Sequence, residues 1–174
     1  VAVLLFGDEL VETGVAQVGQ VRDALGPQLP AWVRRMGGVV LEVRRVRDTL
    51  DAHVSALRDA SADADVVMTT GGTAAGPVDH LHAAVSEIGG RFVVDSVAVR
   101  PGHPMALAQV EQVWLLALPG NPQSAIVSLL ALGQPLFDAL LGRSPRDLPQ
   151  VTLAEGATAP EHEHRLLACE LSGV

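Results

Sequence analysis

Residues 66–79 read VVMTTGGTAAGPVD, a short apolar run of strand type that leads into a glycine-rich turn. An apolar repeat at helical spacing follows directly, at Leu81, Ala84, Val85 and Ile88. The stretch therefore predicts a strand, a loop and the start of a helix. In an open α/β sheet such a junction collects ligands, because loops at the carboxyl ends of strands meet helix N-termini whose free N–H groups favour anions.

The glycines and the carboxylate of this turn are candidate ligand contacts. Gly71, Gly72 and Gly76 let the backbone approach a ligand closely, and Asp79 lies where a carboxylate either caps the helix or points into a site. The alternative is a tight turn with a capping Asp and no ligand. The glycines have P-loop spacing, but Pro77-Val78 occupy the positions at which that motif needs Lys and Ser/Thr, so it is excluded.

The composition is that of one globular domain with a small appendage. The chain has 174 residues, 48% of them hydrophobic, and a mean hydropathy of +0.30. Only two Trp and three Phe are present, so aliphatic side chains fill the core. No apolar run reaches the ~18 residues that span a bilayer. The longest run, 125–141, is interrupted by polar residues, Gly and Pro, which predicts a buried core helix.

Net charge and cysteine content indicate which binding partners and which cellular compartment to expect. A net charge of −8 and a pI near 5.1 argue against nucleic acid, since no basic cluster is interleaved with aromatics. The single Cys169 excludes an internal disulfide and suits a reducing cytoplasm. No signal peptide is visible, and a first residue of Val1 rather than Met predicts a fragment of a longer chain. We expect a cytoplasmic protein without membrane or nucleic-acid partners.

Strand and helix patterns alternate along the chain. The predicted strands are 1–6, 39–46, 65–69, 91–99, 105–110 and 113–118, and the predicted helices are 30–36, a helix capped at Asp48 or Thr49, a helix ending at Ile88, and 124–141. The alternation over the first ~120 residues predicts an α/β fold with a mostly parallel sheet and helices on both faces. The last two strands flank Glu111-Gln112 and predict one hairpin.

The chain is predicted to divide into an α/β domain, residues 1–142, and a C-terminal extension, residues 143–174. The extension begins with a Pro- and Arg-containing linker and is too short to form a core of its own. Within it, His162 and His164 alternate with two Glu residues. They either present ligands on one face of an extended segment or belong to a solvated polar tail.

Four loops at predicted strand ends carry polar or glycine-rich sequences: GDEL at 7–10, the turn at 69–79, RPGHP at 100–104 and LPGNPQSA at 118–125. In order, spacing and residue sequence, these loops resemble those of the molybdopterin-binding domain shared by the molybdenum-cofactor proteins. The resemblance is closest to the molybdopterin molybdenumtransferases of the bacterial MoeA and gephyrin E type. It extends over about residues 1–142, and it rests on the agreement of all four loops.

This resemblance implies a three-layer α/β sandwich and an enzyme of molybdenum cofactor biosynthesis. Such a transferase binds adenylated molybdopterin and inserts molybdate into it with release of AMP, in a magnesium-dependent reaction. Full-length members carry N-terminal domains and a C-terminal β domain, of which residues 146–174 would be an incomplete remnant. They act as homodimers in which the neighbouring subunit completes the site.

Carried over position by position, the resemblance assigns the site residues. The catalytic positions fall on Glu9, Asp48 and Asp79; the two Asp are also the expected Mg²⁺ ligands, because Mg²⁺ binds one or two carboxylates beside substrate phosphates. The substrate-binding positions fall on Asp8, Thr70, Gly71, Gly72, Gly76, Arg100, Pro101, Gly102, His103, Pro119, Gly120, Asn121 and Ser124. These residues suit an anionic ligand that contains a pyrophosphate. The glycine backbones near helix starts offer N–H donors, and the guanidinium can make two parallel hydrogen bonds to an oxyanion.

Several positions depart from the family pattern. Leu5 and Phe6 replace small hydroxyl residues, His82 replaces a Lys, and His103 replaces the second Lys of the basic loop. Because these changes weaken anion binding, one alternative is a degenerate non-catalytic binding or scaffold module of the same fold. A second alternative is a molybdopterin adenylyltransferase of the related trimeric type, since Gly71-Gly72-Thr73 followed by Asp79 also resembles its loop. A generic dinucleotide-binding domain would need a glycine fingerprint that the sequence lacks.

Overall fold

The computed structural model describes residues 1–73, 80–144, 147–148 and 150–170. The strands are β1 (Ala2–Phe6), β2 (Leu10–Val11), β3 (Val21–Arg22), β4 (Glu42–Val46), β5 (Val66–Thr70), β6 (Arg91–Val94), β7 (Val99–Arg100), β8 (Ala106–Val110), β9 (Val113–Leu118) and β10 (His164–Arg165). The helices are α1 (Leu29–Met36), α2 (Leu50–Asp63), α3 (His80–Glu87), α4 (Pro122–Ser128) and α5 (Gln134–Leu140). One π-helical turn, Leu129–Gly133, joins α4 to α5.

Six strands form the central sheet, in the order β4-β1-β5-β9-β8-β6. β4, β1, β5 and β9 run parallel, and β8 runs antiparallel to both of its neighbours. The predicted mostly parallel sheet with one hairpin is therefore confirmed. The hairpin turns at Glu111, which has a φ of +52°. Two short two-stranded sheets, β2 with β3 and β7 with β10, lie apart from it.

Apolar residues on both faces of the sheet make it the middle of three layers. Alternate residues of β1 point to opposite sides, so that Leu4 packs with α2 and α3 while Leu5 packs with α1, α4 and α5. The uninterrupted apolar run that predicted β1 is thus explained by burial on both faces, as parallel strands require. The three-layer α/β sandwich expected from the resemblance is confirmed.

Most helix ends follow the sequence signals. Thr49 caps α2, since its side chain accepts a hydrogen bond from the Ala52 N–H at 3.4 Å. Gly37, at a φ of +98°, ends α1 in the left-handed conformation that glycine favours. The last helical region begins at Pro122 rather than residue 124, because Asn121 provides the cap and proline is tolerated in the first turn.

Two predicted strands are shorter than the sequence indicated. Only Glu42–Val46 of the predicted strand 39–46 pairs with β1. The predicted strand 91–99 is divided into β6 and the start of β7, and Ser96, at a φ of +140°, lies between them. A β-prone composition does not reveal where the partner strand ends, and the partner determines how many residues pair.

The helical region Pro122–Leu140 is long and apolar enough, by length and composition, to cross a membrane. Ala125 and Leu129 within it are fully buried against the sheet. This packing agrees with the core helix that the interrupted apolar run predicted. The predicted division of the chain at residue 142 stays a prediction.

Candidate functional site

The predicted ligand loops meet at one edge of the central sheet. The carboxyl ends of parallel strands share an edge, so the loops after β1, β4, β5 and β9 lie together. The loop before β8 also reaches this edge, since Ala106 pairs with Ala117 near the end of β9. We call this edge the rim; its described residues are 7–9, 47–49, 71–73, 100–105 and 119–121.

The glycine turn brings three strand ends into close backbone contact. The Gly71 N–H donates to the Leu118 carbonyl at 3.1 Å, which links the end of β5 to the end of β9. Gly71 has a φ of +81°, and a Cβ there would lie 2.8 Å from the Phe6 carbonyl oxygen. A Cβ on Gly120 would lie 3.7 Å from the Gly71 Cα. These glycines therefore allow the strand ends to approach one another, in addition to any ligand.

The other predicted residues of this turn are Thr70, which the structure describes, and Gly76 and Asp79, which it does not describe. Thr70 is only 3% exposed, so its side chain lies within the sheet layers rather than on the open rim. Gly76 and Asp79 lie outside the described residues. Their assigned roles stay predictions.

The acidic residues Asp8, Glu9 and Asp48 lie in neighbouring loops, and we call this group the acidic corner. Asp8 Oδ1 accepts a hydrogen bond from the Asp48 backbone N–H at 3.3 Å, so the loops after β1 and β4 touch. Asp48 keeps a half-exposed carboxylate. The Glu9 carboxylate lies over Gly7, because a Cβ there would meet Glu9 Oε2 at 2.7 Å.

His53 lies beneath this acidic corner and was not singled out by the sequence analysis. The side chain is completely buried, and its ring stacks on Phe6 with centroids 3.7 Å apart. Its Nδ1 lies 2.9 Å from the Thr49 carbonyl, which can only accept, so Nδ1 carries the proton. Nε2 lies 3.7 Å from Asp48 Oδ1. A histidine on the apolar face of the predicted helix was the available signal.

A divalent cation would find only part of a ligand set here. No group of three His, Cys, Asp or Glu that could hold a metal occurs among residues 1–73, 80–144, 147–148 and 150–170. Mg²⁺ commonly binds one or two carboxylates and completes its shell with phosphate oxygens and water. The hard oxygen donors of Asp8 and Asp48 fit that partial role. The donor chemistry therefore suits Mg²⁺ that arrives with a phosphorylated ligand.

The loop at 100–104, which we call the basic loop, carries the guanidinium of Arg100 and the imidazole of His103. Arg100 Nε donates to Glu163 Oε2 at 2.7 Å. This hydrogen bond lowers the pKa of Glu163 below its ordinary value of 4.5 and raises the pKa of Arg100. His103 Nδ1 lies 2.9 Å from the Val97 carbonyl and so donates to it. The Arg100–Pro101 peptide bond is cis.

A cavity of about 460 Å³ opens between the basic loop, the start of α4 and the C-terminal extension. Its polar lining comes from Arg100, His103, Gln123, Ser124 and Arg165. Asn121 Oδ1 accepts a hydrogen bond from the Ser124 N–H at 3.0 Å and so fixes the first turn of α4. Two cationic side chains and a hydroxyl thus face one space that an oxyanion can enter.

A second cavity, of about 300 Å³, lies on the other side of His103. Its lining includes His82 and Asp95, whose Nε2 and Oδ1 atoms lie 2.5 Å apart, and His82 stacks on Phe92. The sequence analysis did not predict Asp95, which follows β6 at the same edge of the sheet. Its position just past a strand end was the available signal.

Comparison with known proteins now adds to this geometry. The family described as "Probable molybdopterin binding domain" matches residues 2–139, most of the chain. The chain belongs to this family. The match to the molybdopterin-binding family covers the strands and helices of the central sheet.

Individual relatives agree with that assignment. The molybdopterin molybdenumtransferase of Haemophilus influenzae is 34% identical over 144 residues, covering 82% of this chain and 35% of that protein. The protein of the same name from Staphylococcus aureus is 29% identical over 143 residues, covering 82% and 34%. This family member therefore spans about a third of the length of the curated relatives it matches.

Solved structures confirm the fold. The molybdopterin biosynthesis MoeA protein of Pyrococcus horikoshii superposes with a TM-score of 0.70 at 28% identity, over 82% of this chain and 35% of that one. The molybdopterin biosynthesis enzyme MoaB of Thermus thermophilus superposes with a TM-score of 0.63 at 20% identity, over 82% and 96%. The latter likeness concerns the fold alone.

Proposed function

We propose that this chain is the molybdopterin-binding domain of a molybdopterin molybdenumtransferase and acts in molybdenum cofactor biosynthesis. In this proposal the rim binds adenylated molybdopterin, and molybdate is inserted with release of AMP. The observation that carries it is the meeting of the acidic corner, the glycine turn and the basic loop at one edge of the sheet. The identity to named transferases supports the same reaction class.

The proposed contacts follow from the charge of the ligand. Backbone groups at Gly72 and Gly120 would lie against the phosphates, because no side chain keeps the ligand away from them, whereas the Gly71 N–H already donates to the Leu118 carbonyl. The cavity beside Arg100 and Ser124 would take an oxyanion, which a guanidinium can contact through two parallel hydrogen bonds. Molybdate and a phosphate group are both tetrahedral oxyanions, so either can occupy such a space.

The acidic corner has a complementary role in this proposal. Asp48, with Asp8 beside it, would hold Mg²⁺, and the metal would supply charge neutralisation at the phosphates. Arg100 would stabilise the oxyanion charge that develops as AMP leaves.

Titration calorimetry with AMP and molybdate, each with and without Mg²⁺, tests the proposal. We expect AMP binding heat in the presence of Mg²⁺ and its loss in Asp48→Asn. Asp63→Asn is the matched control, because this exposed aspartate ends α2 at the opposite edge of the sheet. Absence of heat in every condition would favour the non-catalytic scaffold, and AMP transfer from ATP to molybdopterin would favour the adenylyltransferase.

Complete turnover is proposed for a longer protein. The chain corresponds to about a third of its curated relatives, so we assign ligand binding to this domain and the full reaction to the whole enzyme. Homodimer formation, cytoplasmic location and magnesium dependence belong to the same proposal.

A further inference from the structure

The C-terminal extension returns to the basic loop as a short strand. We call residues 160–167 the strap. Its strand β10 pairs in parallel with β7, and the His164 N–H donates to the Ala98 carbonyl at 2.8 Å. The Leu166 N–H donates to the Arg100 carbonyl, also at 2.8 Å. Backbone hydrogen bonds therefore fix the strap beside the residue that provides the loop's fixed cation.

The strap carries a carboxylate to that cation. Glu163 comes just before β10, and its Oε2 lies 2.7 Å from Arg100 Nε. Its backbone N–H donates to the Pro160 carbonyl at 3.2 Å, which closes a turn just before β10. The Glu163 side chain is 23% exposed, while that of Arg100 is 67% exposed. The carboxylate is thus partly enclosed, and the guanidinium still has a face open to solvent.

The same strap lines the oxyanion cavity. Arg165, Leu166 and Leu167 form one wall of the space that Arg100 and Ser124 face. Arg165 is held by its own hydrogen bond, from Nη1 to the Thr158 carbonyl at 3.1 Å. The strap therefore contributes both signs of charge close to one ligand space.

We propose that Glu163 is a built-in competitor for the anion that binds Arg100, and that it sets which anions the loop accepts. The inference rests on the proposed function, since it requires an anionic ligand at the basic loop. A carboxylate already occupies one edge of the guanidinium, so a ligand must offer a stronger charge-assisted contact to displace it. A pyrophosphate or phosphate ester, which forks onto a guanidinium, meets that condition, whereas a simple carboxylate such as acetate does not.

The test compares inorganic pyrophosphate binding among three forms of the chain by titration calorimetry, in metal-free buffer at low ionic strength. Glu163→Gln keeps the length and hydrogen-bonding capacity of the side chain and removes its charge. We expect it to tighten pyrophosphate binding about threefold and to permit measurable acetate binding, because the neutral amide no longer competes as an anion for the Arg100 guanidinium. Glu161→Gln is the matched control, since this exposed residue of the same strap produces the same change in net charge.

The possible outcomes distinguish competition by Glu163 from the existence of an anion site at the basic loop. Equal pyrophosphate affinities for Glu163→Gln and Glu161→Gln would overturn the competitor and leave the anion site standing. Binding by neither the unaltered chain nor Glu163→Gln would remove the anion site itself. Carbon NMR of the Glu163 carboxyl gives a second readout: its signal should shift when pyrophosphate binds, because the hydrogen bond from Arg100 Nε is lost, and an unchanged signal on saturation would contradict the competition.

Discussion

At the residue scale, Gly71 is a position of the rim at which a side chain would be both strained and crowded. A side chain there would have to adopt a φ of +81° and approach the Phe6 carbonyl oxygen to 2.8 Å. Left-handed backbone costs roughly 1–2 kcal/mol for a residue with a Cβ, and overpacking costs about 1–3 kcal/mol more. We expect Gly71→Ala to lower the free energy of unfolding by about 2–5 kcal/mol in urea denaturation.

Gly14 offers a control that separates the two causes. It has nearly the same φ, +79°, but a Cβ there would have nothing within 4 Å. Gly14→Ala should therefore cost only the backbone share, about 1–2 kcal/mol. Equal losses for the two substitutions would mean that the strand ends at Gly71 move apart without cost.

The Glu163 carboxyl should show the influence of Arg100 in its titration. The hydrogen bond from Arg100 holds the pKa of Glu163 below 4.5 in the folded chain. Because the folded value is the lower one, the pair stabilises the docked strap fully above about pH 4.5, and this contribution is lost as the pH falls through the folded-state pKa. Carbon NMR of the Glu163 carboxyl should give a midpoint below 4.5, and Arg100→Gln should return it to the ordinary range.

The contacts that the sequence did not predict join residues far apart in the chain. Glu163 and Arg100 are separated by 63 positions, and nothing local to either residue indicates the other. The contact between Asp8 and Asp48 also spans 40 positions, yet both residues were singled out because each follows a predicted strand. A sequence shows which residue types follow a predicted strand. Which residue of another loop each of them contacts depends on the order of the strands in the sheet.

At the element scale, one amide holds the start of the longest helical region. Asn121 Oδ1 accepts the Ser124 N–H at 3.0 Å, and the helical turns that follow are packed on the sheet through Ala125 and Leu129. Asn121→Ala should therefore lower the free energy of unfolding by about 1 kcal/mol, the usual value of an N-cap. Urea denaturation measures this loss.

A serine at the same position is the matched variant. Asn121→Ser keeps an oxygen that can accept the helical N–H, so its stability should lie within a few tenths of a kcal/mol of the unaltered chain. Equal stability of the Ala and Ser variants at the unaltered level would show that the cap contributes nothing. Loss of AMP binding in both variants, with stability kept in Ser, would support the predicted ligand contact of Asn121.

Element type was predictable where burial is strong, and element ends were not. The apolar run of β1 and the repeat of α2 reflect burial against neighbours on fixed faces, so the pattern is in the sequence. The order β4-β1-β5-β9-β8-β6 depends on pairing between distant segments, for which one sequence holds no record. The π-helical turn at Leu129–Gly133 likewise lies inside a continuous apolar pattern that an α-helix would satisfy.

At the scale of the whole molecule, the rim and the core are separate in space. The two apolar clusters lie on the faces of the sheet, whereas Asp48 and Arg100 lie on its edge with exposed side chains. The double variant Asp48→Asn with Arg100→Gln should therefore change the free energy of unfolding by less than about 1 kcal/mol, as surface substitutions do. It should nevertheless abolish the AMP heat that depends on Mg²⁺.

The opposite substitution should give the opposite result. Leu116 is completely buried at the centre of the sheet, so Leu116→Ala removes packing and leaves a cavity that costs about 2–5 kcal/mol. The surviving folded molecules should bind AMP with unchanged affinity, because the rim loops remain at the same strand ends. Two results would contradict this separation: unfolding of the double variant, or weaker AMP binding by folded Leu116→Ala. Either result would mean that the rim helps to stabilise the fold. A family member that had lost its ligand groups could then not keep this architecture as a scaffold.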